Sequence, residues 1–162
     1  MSDPSQNMRR RQKFLCVVDD TSECRVAVRF ASRRARNVGG GMALLRVTEL
    51  PDAQVWSSVR EVMAQEARDE AERLMSDLAQ QVLADSGLKP ELLIREGAVT
   101  GELLRLIGED ADIRILVLAA APGSSGPGPL VSALAGQMSG NLAIPVMVVP
   151  GSLTDAQIDE LT

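Results

Sequence analysis

Short segments of apolar side chains recur along the chain, and longer segments with helical patterns separate them. The longest apolar run, residues 115–121, has no helical stripe and ends at a Pro-Gly pair. A run of this kind is typical of a strand buried in a parallel sheet. Reading the rest of the chain in this way, we expect five strands, at residues 14–18, 42–47, 91–96, 115–121 and 146–149.

The segments between these strands show the spacing of amphipathic helices. The expected helices lie at about residues 21–37, 55–84, 100–108 and 130–141, with one or two further helical turns within 155–161. The longest has an apolar side chain at every third or fourth position, namely Val55, Val59, Met63, Ala67, Ala71, Leu74, Leu78 and Val82. At about 1.5 Å per residue that helix would be about 45 Å long, so we expect its first turns to be irregular.

The alternation of strands and helices predicts the fold class. Strands joined through helices form right-handed crossovers, which produce a mostly parallel sheet with helices on both faces. A chain of 162 residues is long enough for one domain with a substantial core. We therefore expect an α/β domain at residues 13–150, preceded by a disordered tail at 1–12 and followed by a C-terminal tail at 151–162.

The composition excludes several classes of function. The chain contains no histidine, so a Ser-His-Asp group, a Cys-His group and a histidine-ligated metal site are all impossible. A formal net charge of −5, with two Phe, one Trp and no Tyr, argues against a nucleic-acid-binding surface. The phosphate loop of the Walker A type is absent as well. We therefore expect neither an enzyme nor a nucleic-acid-binding protein.

The cysteine content and the hydropathy of the chain indicate the cellular compartment in which we expect the protein. Cys16 and Cys24 are too few for a disulfide framework, and we expect free, buried thiols in the reducing cytoplasm. No apolar run approaches the roughly 20 residues of a membrane helix. Three arginines at 9–11 are not followed by an apolar run, so we expect a solvated tail there rather than a secretory signal.

A loop rich in Gly, Ser and Pro follows the expected fourth strand and leads into a helix. In open α/β sheets, ligands bind where the carboxyl end of a strand leads into a helix, and anions bind there most readily. Gly123, Gly126 and Gly136 have the spacing G-x-x-G-x9-G. Glycines at such positions let backbone N–H groups approach a phosphate. The alternative is that these glycines only turn the chain and allow close packing.

The ordered set of segments resembles the universal stress protein family. The first strand ends in VVD, followed by Thr21 and Ser22, and the segments LLRV, REG, ILVLAA and IPVMVVP come later. The spacing G-x-x-G-x9-G is similar to the family's nucleotide-binding signature. The resemblance covers residues 13–150. It implies a Rossmann-like, five-stranded sheet of order 3-2-1-4-5, a homodimer and, in one branch of the family, an ATP site.

The resemblance also implies roles for individual residues. Asp19 would contact the ribose or the adenine, and the backbone of Val47 would contact the adenine edge. The glycines of the loop and the residue after the last of them would line the phosphates. The residues expected to bind the nucleotide are thus Asp19, Val47, Gly123, Gly126, Gly136 and Gln137.

Near the expected phosphate site the chain departs from the family pattern. Gln137 stands where the family has Ser or Thr, and Pro127 and Pro129 lack the backbone N–H that could bind a phosphate. Arg114 is the last basic residue in the chain. The charge of a phosphate would therefore be balanced by backbone dipoles, by Mg²⁺ or by a basic group from an earlier segment.

Three hypotheses about function follow. The one we favour is a non-enzymatic cytoplasmic stress-response protein that binds ATP, with Mg²⁺, or a related adenine nucleotide. The second is an interaction protein of the same fold whose loop binds no nucleotide. The third is an enzyme acting on ATP, which the missing histidine disfavours.

The last expected strand bears on assembly. In the order that the resemblance implies, residues 146–149 form an edge strand, and all four are apolar. An exposed edge of this kind pairs readily with another chain. We therefore expect a homodimer through this strand, which a charge at Met147 would disrupt. The alternative is a monomer in which residues 151–162 cover the edge.

Overall fold

A five-stranded sheet forms the centre of the computed structural model, which describes residues 12–162. The strands run in the order β3-β2-β1-β4-β5, and every pairing between them is parallel. The expected α/β class and strand order are confirmed. The strands are β1 (Lys13–Val17), β2 (Gly41–Thr48), β3 (Glu91–Glu96), β4 (Ile113–Ala120) and β5 (Val146–Pro150).

Helices connect the strands and cover both faces of the sheet. They are α1 (Ser22–Asn37), α2 (Ser57–Ser86), α3 (Val99–Glu109), α4 (Pro129–Ser132) and α5 (Asp155–Leu161). Within residues 12–162, no helix is both long enough and apolar enough to cross a membrane. The disordered tail predicted for residues 1–12 lies outside the described residues, apart from Gln12. The carbonyl of Gln12 accepts a hydrogen bond of 2.9 Å from the N–H of Gly41.

The core consists of two apolar layers, one on each face of the sheet. Helices α1 and α2 cover the face that includes Phe14 and Cys16, and α3 and α4 cover the face that includes Leu15 and Leu45. Successive side chains of a strand point to opposite faces, so a strand covered on both sides has apolar side chains at consecutive positions. This arrangement explains the continuous apolar runs of the central strands β1 and β4.

Helix α2 is regular along its whole length. It runs for 30 residues without interruption, so the prediction of irregular first turns is wrong. Leu74, Leu78 and Val82 in its second half are buried, whereas Val59 is 48% exposed and Met63 is 43% exposed. The diameter of the domain does not limit the length of this helix, because its first half is mostly solvated.

The segment after β4 is less regular than the sequence suggests. Where we expected one helix at 130–141, the four residues of α4 are followed by a π-helical turn, Ala133–Gln137, and a 3-10 turn, Ser139–Asn141. The N–H of Met138 donates to the carbonyl of Ala133 over 2.9 Å, one residue further back than in an α-helix. Glycine is a poor helix former, and Gly136 and Gly140 lie in this segment.

The C-terminal segment folds back onto α1. Thr154 and Gln157 form a reciprocal capping box that starts α5, and the side chain of Ile158 is fully buried. Asp159 of α5 forms ion pairs of 3.3 Å with Arg29 and 3.1 Å with Arg33 of α1. The helical turns expected within 155–161 are therefore confirmed, and they pack on one face of the domain.

Candidate functional site

The central strands β1 and β4 lie side by side, and their connections leave in different directions. The chain runs from β1 through α1 to β2 on one side, and from β4 to β5 on the other. A crevice forms at the carboxyl ends of the strands at such a point, and ligands of open α/β sheets bind there. Two cavities occupy this position, of about 420 Å³ and about 320 Å³.

The two cavities are neighbours and share part of their walls. Both are lined by Val17, Asp19, Pro129 and Leu130. The larger cavity extends towards β2 and the start of α3, with Val18, Arg46, Val47, Glu49, Ala98, Val99 and Thr100 in its walls. The smaller extends towards α1 and the loop after β4, with Thr21, Glu23, Cys24, Pro127 and Gly128 among its walls. The two cavities therefore lie next to each other at one end of the sheet, and we refer to them together as the cleft.

Asp19 lies where the two cavities meet, and the start of α1 orients its carboxylate. Its Oδ1 atom accepts hydrogen bonds from the backbone N–H of Thr21, over 2.9 Å, and from the Thr21 hydroxyl. The same hydroxyl accepts a bond of 3.3 Å from the N–H of Cys24 and so caps the helix. The half-buried carboxylate is thus fixed in place beside the cleft.

The thiol of Cys24 is buried next to this carboxylate. Burial has the largest effect on the pKa of Cys24 and raises it to about 11. The N–H of Asp19 donates to Sγ of Cys24 over 3.4 Å and opposes that rise in part, because it stabilises the thiolate. Burial also raises the pKa of Cys16 well above its ordinary value. Both thiols are free and remain protonated at neutral pH, so neither is an activated nucleophile.

Val47 is the second predicted residue that the fold brings to the cleft. It lies in β2, next to Arg95 of β3 in the sheet register, and is 5% exposed. Its position near the carboxyl end of β2 lets it line the larger cavity. Asp19 and Val47 therefore line the same cavity.

The predicted glycines serve the conformation of the loop. Gly123 has φ +100° and Gly126 has φ +95°, a region that side chains with a Cβ rarely adopt. A Cβ at either position would meet nothing within 4 Å. The loop closes through a bond of 3.1 Å from the N–H of Ala121 to the carbonyl of Pro127. Neither glycine is among the described residues that line the two cavities.

The last glycine of the pattern and its neighbour lie further along. Gly136 is exposed within the π-helical turn, and Gln137 ends that turn. Like the loop glycines, Gly136 is not among the described residues that line the cavities. Gly128, which the spacing did not single out, does line the smaller cavity and has φ +104°.

Several residues of the cleft were missed by sequence reasoning. Arg46 lies within the predicted second strand and Glu49 just after it, and Ala98, Val99 and Thr100 follow the predicted third strand. A usable signal existed, because the carboxyl ends of adjacent parallel strands meet at one edge of a sheet. Polar residues at the ends of all three neighbouring strands could have been combined on that basis.

Comparison with known proteins identifies the family. The sequence profile of the Universal stress protein family matches residues 10–150. The chain belongs to the universal stress protein family. A comparison with curated protein sequences finds no match.

Solved structures of universal stress proteins share the fold. UspA from Lactobacillus plantarum superposes with a TM-score of 0.72 at 18% identity, covering 86% of this chain and 98% of that one. A universal stress protein in complex with cAMP gives a TM-score of 0.61 at 15% identity, covering 87% and 98%. One from Arabidopsis thaliana with AMP bound gives 0.60 at 14% identity, covering 86% and 91%. At these identities the likeness concerns the fold.

The carboxylates of this universal stress protein do not assemble into a metal centre within the described part of the chain. Among residues 12–162, no group of three or more Cys, Asp or Glu side chains is placed to hold a metal ion. Asp20 is exposed beside the half-buried Asp19, and these two acidic residues lie at the start of α1. The hydrogen bonds that Thr21 donates to Asp19 Oδ1 account for the position of Asp19.

Proposed function

We propose that this universal stress protein binds an adenine nucleotide in the cleft at the carboxyl ends of β1, β2 and β4, and acts in the stress response through that binding. The observation that carries the proposal is the position of Asp19 at the junction of two cavities, with an apolar wall on one side. The solved structures of universal stress proteins with cAMP and with AMP support it by analogy.

The larger cavity suits the base of a nucleotide. Its volume of about 420 Å³ falls within the range of small-molecule sites, which are mostly apolar with a few placed polar groups. Val17, Val47 and Leu130 supply apolar surface for a planar ring. In the proposed complex, the backbone of Val47 contacts the edge of the adenine.

In the proposed complex, the carboxylate of Asp19 binds the ribose. A carboxylate accepts hydrogen bonds from vicinal hydroxyl groups, and Oδ1 is already oriented by Thr21. The loop after β4 then lies on the phosphate side, with Gly123, Gly126, Gly136 and Gln137 as the proposed phosphate-contacting positions. The residues present fit the nucleoside well and offer fewer donors for a long phosphate chain, since Pro127 and Pro129 have no N–H.

A role without catalysis is part of the proposal. The chain has no histidine, and burial keeps the thiol of Cys24 protonated at neutral pH. We therefore expect no sustained ATP hydrolysis by the pure protein. Continuous phosphate release that is lost in Asp19→Asn would instead favour an enzyme.

The proposal also includes a homodimer and a location in the cytoplasm. Strand β5 lies at the edge of the sheet, and Val148 is 38% exposed there, which supports a homodimer through this strand. Two free, buried cysteines suit the reducing cytoplasm. The second candidate function, an interaction protein that binds no nucleotide, rests on this same exposed edge.

The deciding experiment measures nucleotide directly. Protein purified without added nucleotide is denatured, and the supernatant is read by absorbance and mass spectrometry for adenine compounds. Titration calorimetry with AMP, cAMP, ATP and ATP with Mg²⁺ then gives affinities. Co-purified adenine nucleotide, or saturable heat with any of these ligands, supports the proposal. If the protein carries no nucleotide and gives no heat at millimolar ligand, the results favour the second candidate function, an interaction protein that binds no nucleotide.

A further inference from the structure

We propose that the exposed face of α2 is a docking site for an amphipathic helix of another protein, with apolar side chains at one end of that helix and Lys or Arg side chains at the other. The inference goes beyond the proposed function. No residue of α2 is among the described residues that line the cleft, so docking on this face does not depend on nucleotide binding.

A single row of exposed side chains runs along α2. Trp56 is the N-cap residue of the helix, and positions 59, 63, 66, 70, 73 and 77 follow it at alternating steps of three and four residues. Side chains at this spacing share one face of a helix, and the same spacing forms the contact seam between paired helices. Every one of these side chains is exposed. We call this row the α2 seam.

The first part of the α2 seam is apolar. Trp56 is 82% exposed, Val59 and Met63 are exposed as well, and Val62 beside them is 57% exposed. Single apolar side chains are common on protein surfaces, but a contiguous group that includes a tryptophan marks an interaction surface. These side chains precede the part of α2 that packs on the core, so packing within residues 12–162 does not account for them.

The second part of the α2 seam is acidic. It contains the carboxylates of Glu66, Glu70 and Asp77 and one guanidinium, that of Arg73. Among residues 12–162, no ion pair involves any of these three carboxylates. Charges along a contact between helices select the partner, because like charges that face each other are costly. The seam therefore favours a helix with apolar side chains opposite its first part and basic side chains opposite its second part.

A second copy of this chain fits the α2 seam poorly. In a parallel pair, each carboxylate would face its own counterpart in the other copy. In an antiparallel pair along the whole seam, Trp56 would face Asp77 and Met63 would face Glu70. A lipid surface fits poorly as well, since helices that lie on membranes carry Lys and Arg on their polar face. Charge complementarity thus favours a basic helix from another protein.

The test adds synthetic amphipathic peptides of about three heptads to the full-length protein. All have Leu at the seam positions of one end. The basic peptide has Lys at the remaining seam positions, and the acidic peptide has Glu there. Each is made with the Leu end first and with the Leu end last, which allows either direction of packing. Trp56 is the only tryptophan of the chain, so a shift of its fluorescence to shorter wavelength reports that the seam is covered.

The charge of the seam is tested by reversal. We expect the basic peptide to shift the emission of Trp56 in a saturable way and to bind roughly tenfold or more tighter than the acidic peptide. The double variant Glu66→Lys/Glu70→Lys should reverse that preference. The matched control is Glu61→Lys/Glu72→Lys, which makes the same change at exposed positions of α2 outside the seam and should bind as the parent does.

The apolar part of the seam is tested at Met63. Met63→Gln should weaken binding of the basic peptide several-fold, because it removes apolar contact at the centre of the apolar group. Leu83→Gln is the control, since Leu83 is an equally exposed apolar side chain of α2 that lies outside the seam. Circular dichroism confirms that each variant is folded, and the comparison of the two peptides on the parent protein decides the matter should a variant be unfolded.

Each contrary result overturns the proposal. The seam does not select a basic helix if neither peptide binds at about 1 mM, if both bind equally, or if charge reversal leaves the preference unchanged. If the emission of Trp56 shifts with protein concentration alone, and Met63→Gln abolishes that shift, a second copy occupies the seam. If phosphatidylcholine vesicles produce the shift, the occupant is a lipid surface.

Discussion

The carboxylate of Asp19 accepts a hydrogen bond of 2.9 Å from the backbone N–H of Thr21, so the residue proposed to bind the ribose also shapes the start of α1. The two roles use different properties of the side chain. The turn at Thr21 needs only an acceptor oxygen, which an amide supplies equally well. Binding of ribose hydroxyls favours the charged carboxylate, whose hydrogen bonds are stronger.

Asp19→Asn separates these roles. We expect the free energy of unfolding to change by less than about 1 kcal/mol, because the acceptor is kept. Nucleotide affinity should fall by roughly tenfold, since the charge is lost. Urea unfolding and calorimetry with AMP measure the two quantities. Asp20→Asn, at an exposed neighbouring position, is the control and should bind as the parent does; equal affinity in Asp19→Asn would remove this residue from the site.

Gly126→Val tests the loop after β4. The φ of +95° at Gly126 costs a β-branched residue about 1–3 kcal/mol, so the exposed loop should adopt another conformation. We expect weaker binding of AMP with little loss of global stability. Gly101→Ala is the control, because Gly101 lies inside α3 with open space around it and alanine favours a helix. Unchanged affinity in Gly126→Val would mean that the loop glycines only turn the chain.

The dimer is tested at Val148 rather than at Met147. Met147 packs against the core layer under α1, so a lysine there would destabilise the fold itself, and it cannot report on the dimer as the sequence suggested. Val148 is 38% exposed at the edge strand, and Val148→Glu should convert a dimer to a monomer. Light scattering after size exclusion, at tens of micromolar protein, measures the mass.

The opposite edge of the sheet supplies the control for the dimer. Leu92 of β3 is 44% exposed, and Leu92→Glu should leave the mass unchanged if β5 is the interface. A parent protein that is monomeric at this concentration would refute the dimer.

The cysteines should be unreactive in the folded protein. With the pKa of Cys24 at about 11, the thiolate fraction at pH 7.5 is on the order of 10⁻³ to 10⁻⁴. Alkylation by iodoacetamide, followed by mass spectrometry, should therefore be slow in native protein and complete after unfolding in guanidinium. Rapid modification of native protein at pH 7.5 would show an activated or exposed thiol.

Acid should weaken a contact between the start of β1 and the turn before β4. Lys13 Nζ lies 2.7 Å from Asp110 Oδ2. This hydrogen bond is the main cause that lowers the pKa of Asp110 below its ordinary value near 4, although burial opposes it. A carboxyl whose pKa is lowered by folding stabilises the protein above its unfolded pKa and loses that contribution as the pH falls through its folded pKa.

Asp110→Asn measures that contribution. We expect the variant to be less stable than the parent at pH 7, by up to about 1 kcal/mol for a partly exposed pair. The difference should shrink as the pH falls below 4, because the carboxyl of the parent then becomes neutral too. Urea unfolding at pH 7, 4 and 3 provides the comparison. A difference that persists undiminished at pH 3 would assign the effect to something other than charge.

The candidate site could be predicted only in part. Asp19 follows a buried strand and Val47 ends one, and the family resemblance is what marked these two positions as candidates for the site. Arg46 and Thr100 were missed because placing them near Asp19 requires combining the ends of several parallel strands, and each segment by itself does not show that. The glycine spacing indicated a loop, but only the structure shows that Gly126 has φ +95° and is not among the described residues that line the two cavities.

The α/β class, the positions of the strands and their alternation with helices could all be predicted from the amino-acid sequence. These depend on the period of apolar side chains over a few residues, and a strand such as β4 is apolar at nearly every position because both its faces are covered. The three-dimensional packing was needed to show that Met147 contacts the core while Val148 is exposed, that the first half of α2 is mostly solvated, and that Arg46 lies at the cleft. Such facts depend on which distant segments meet, and residues far apart in the chain leave no local pattern for that.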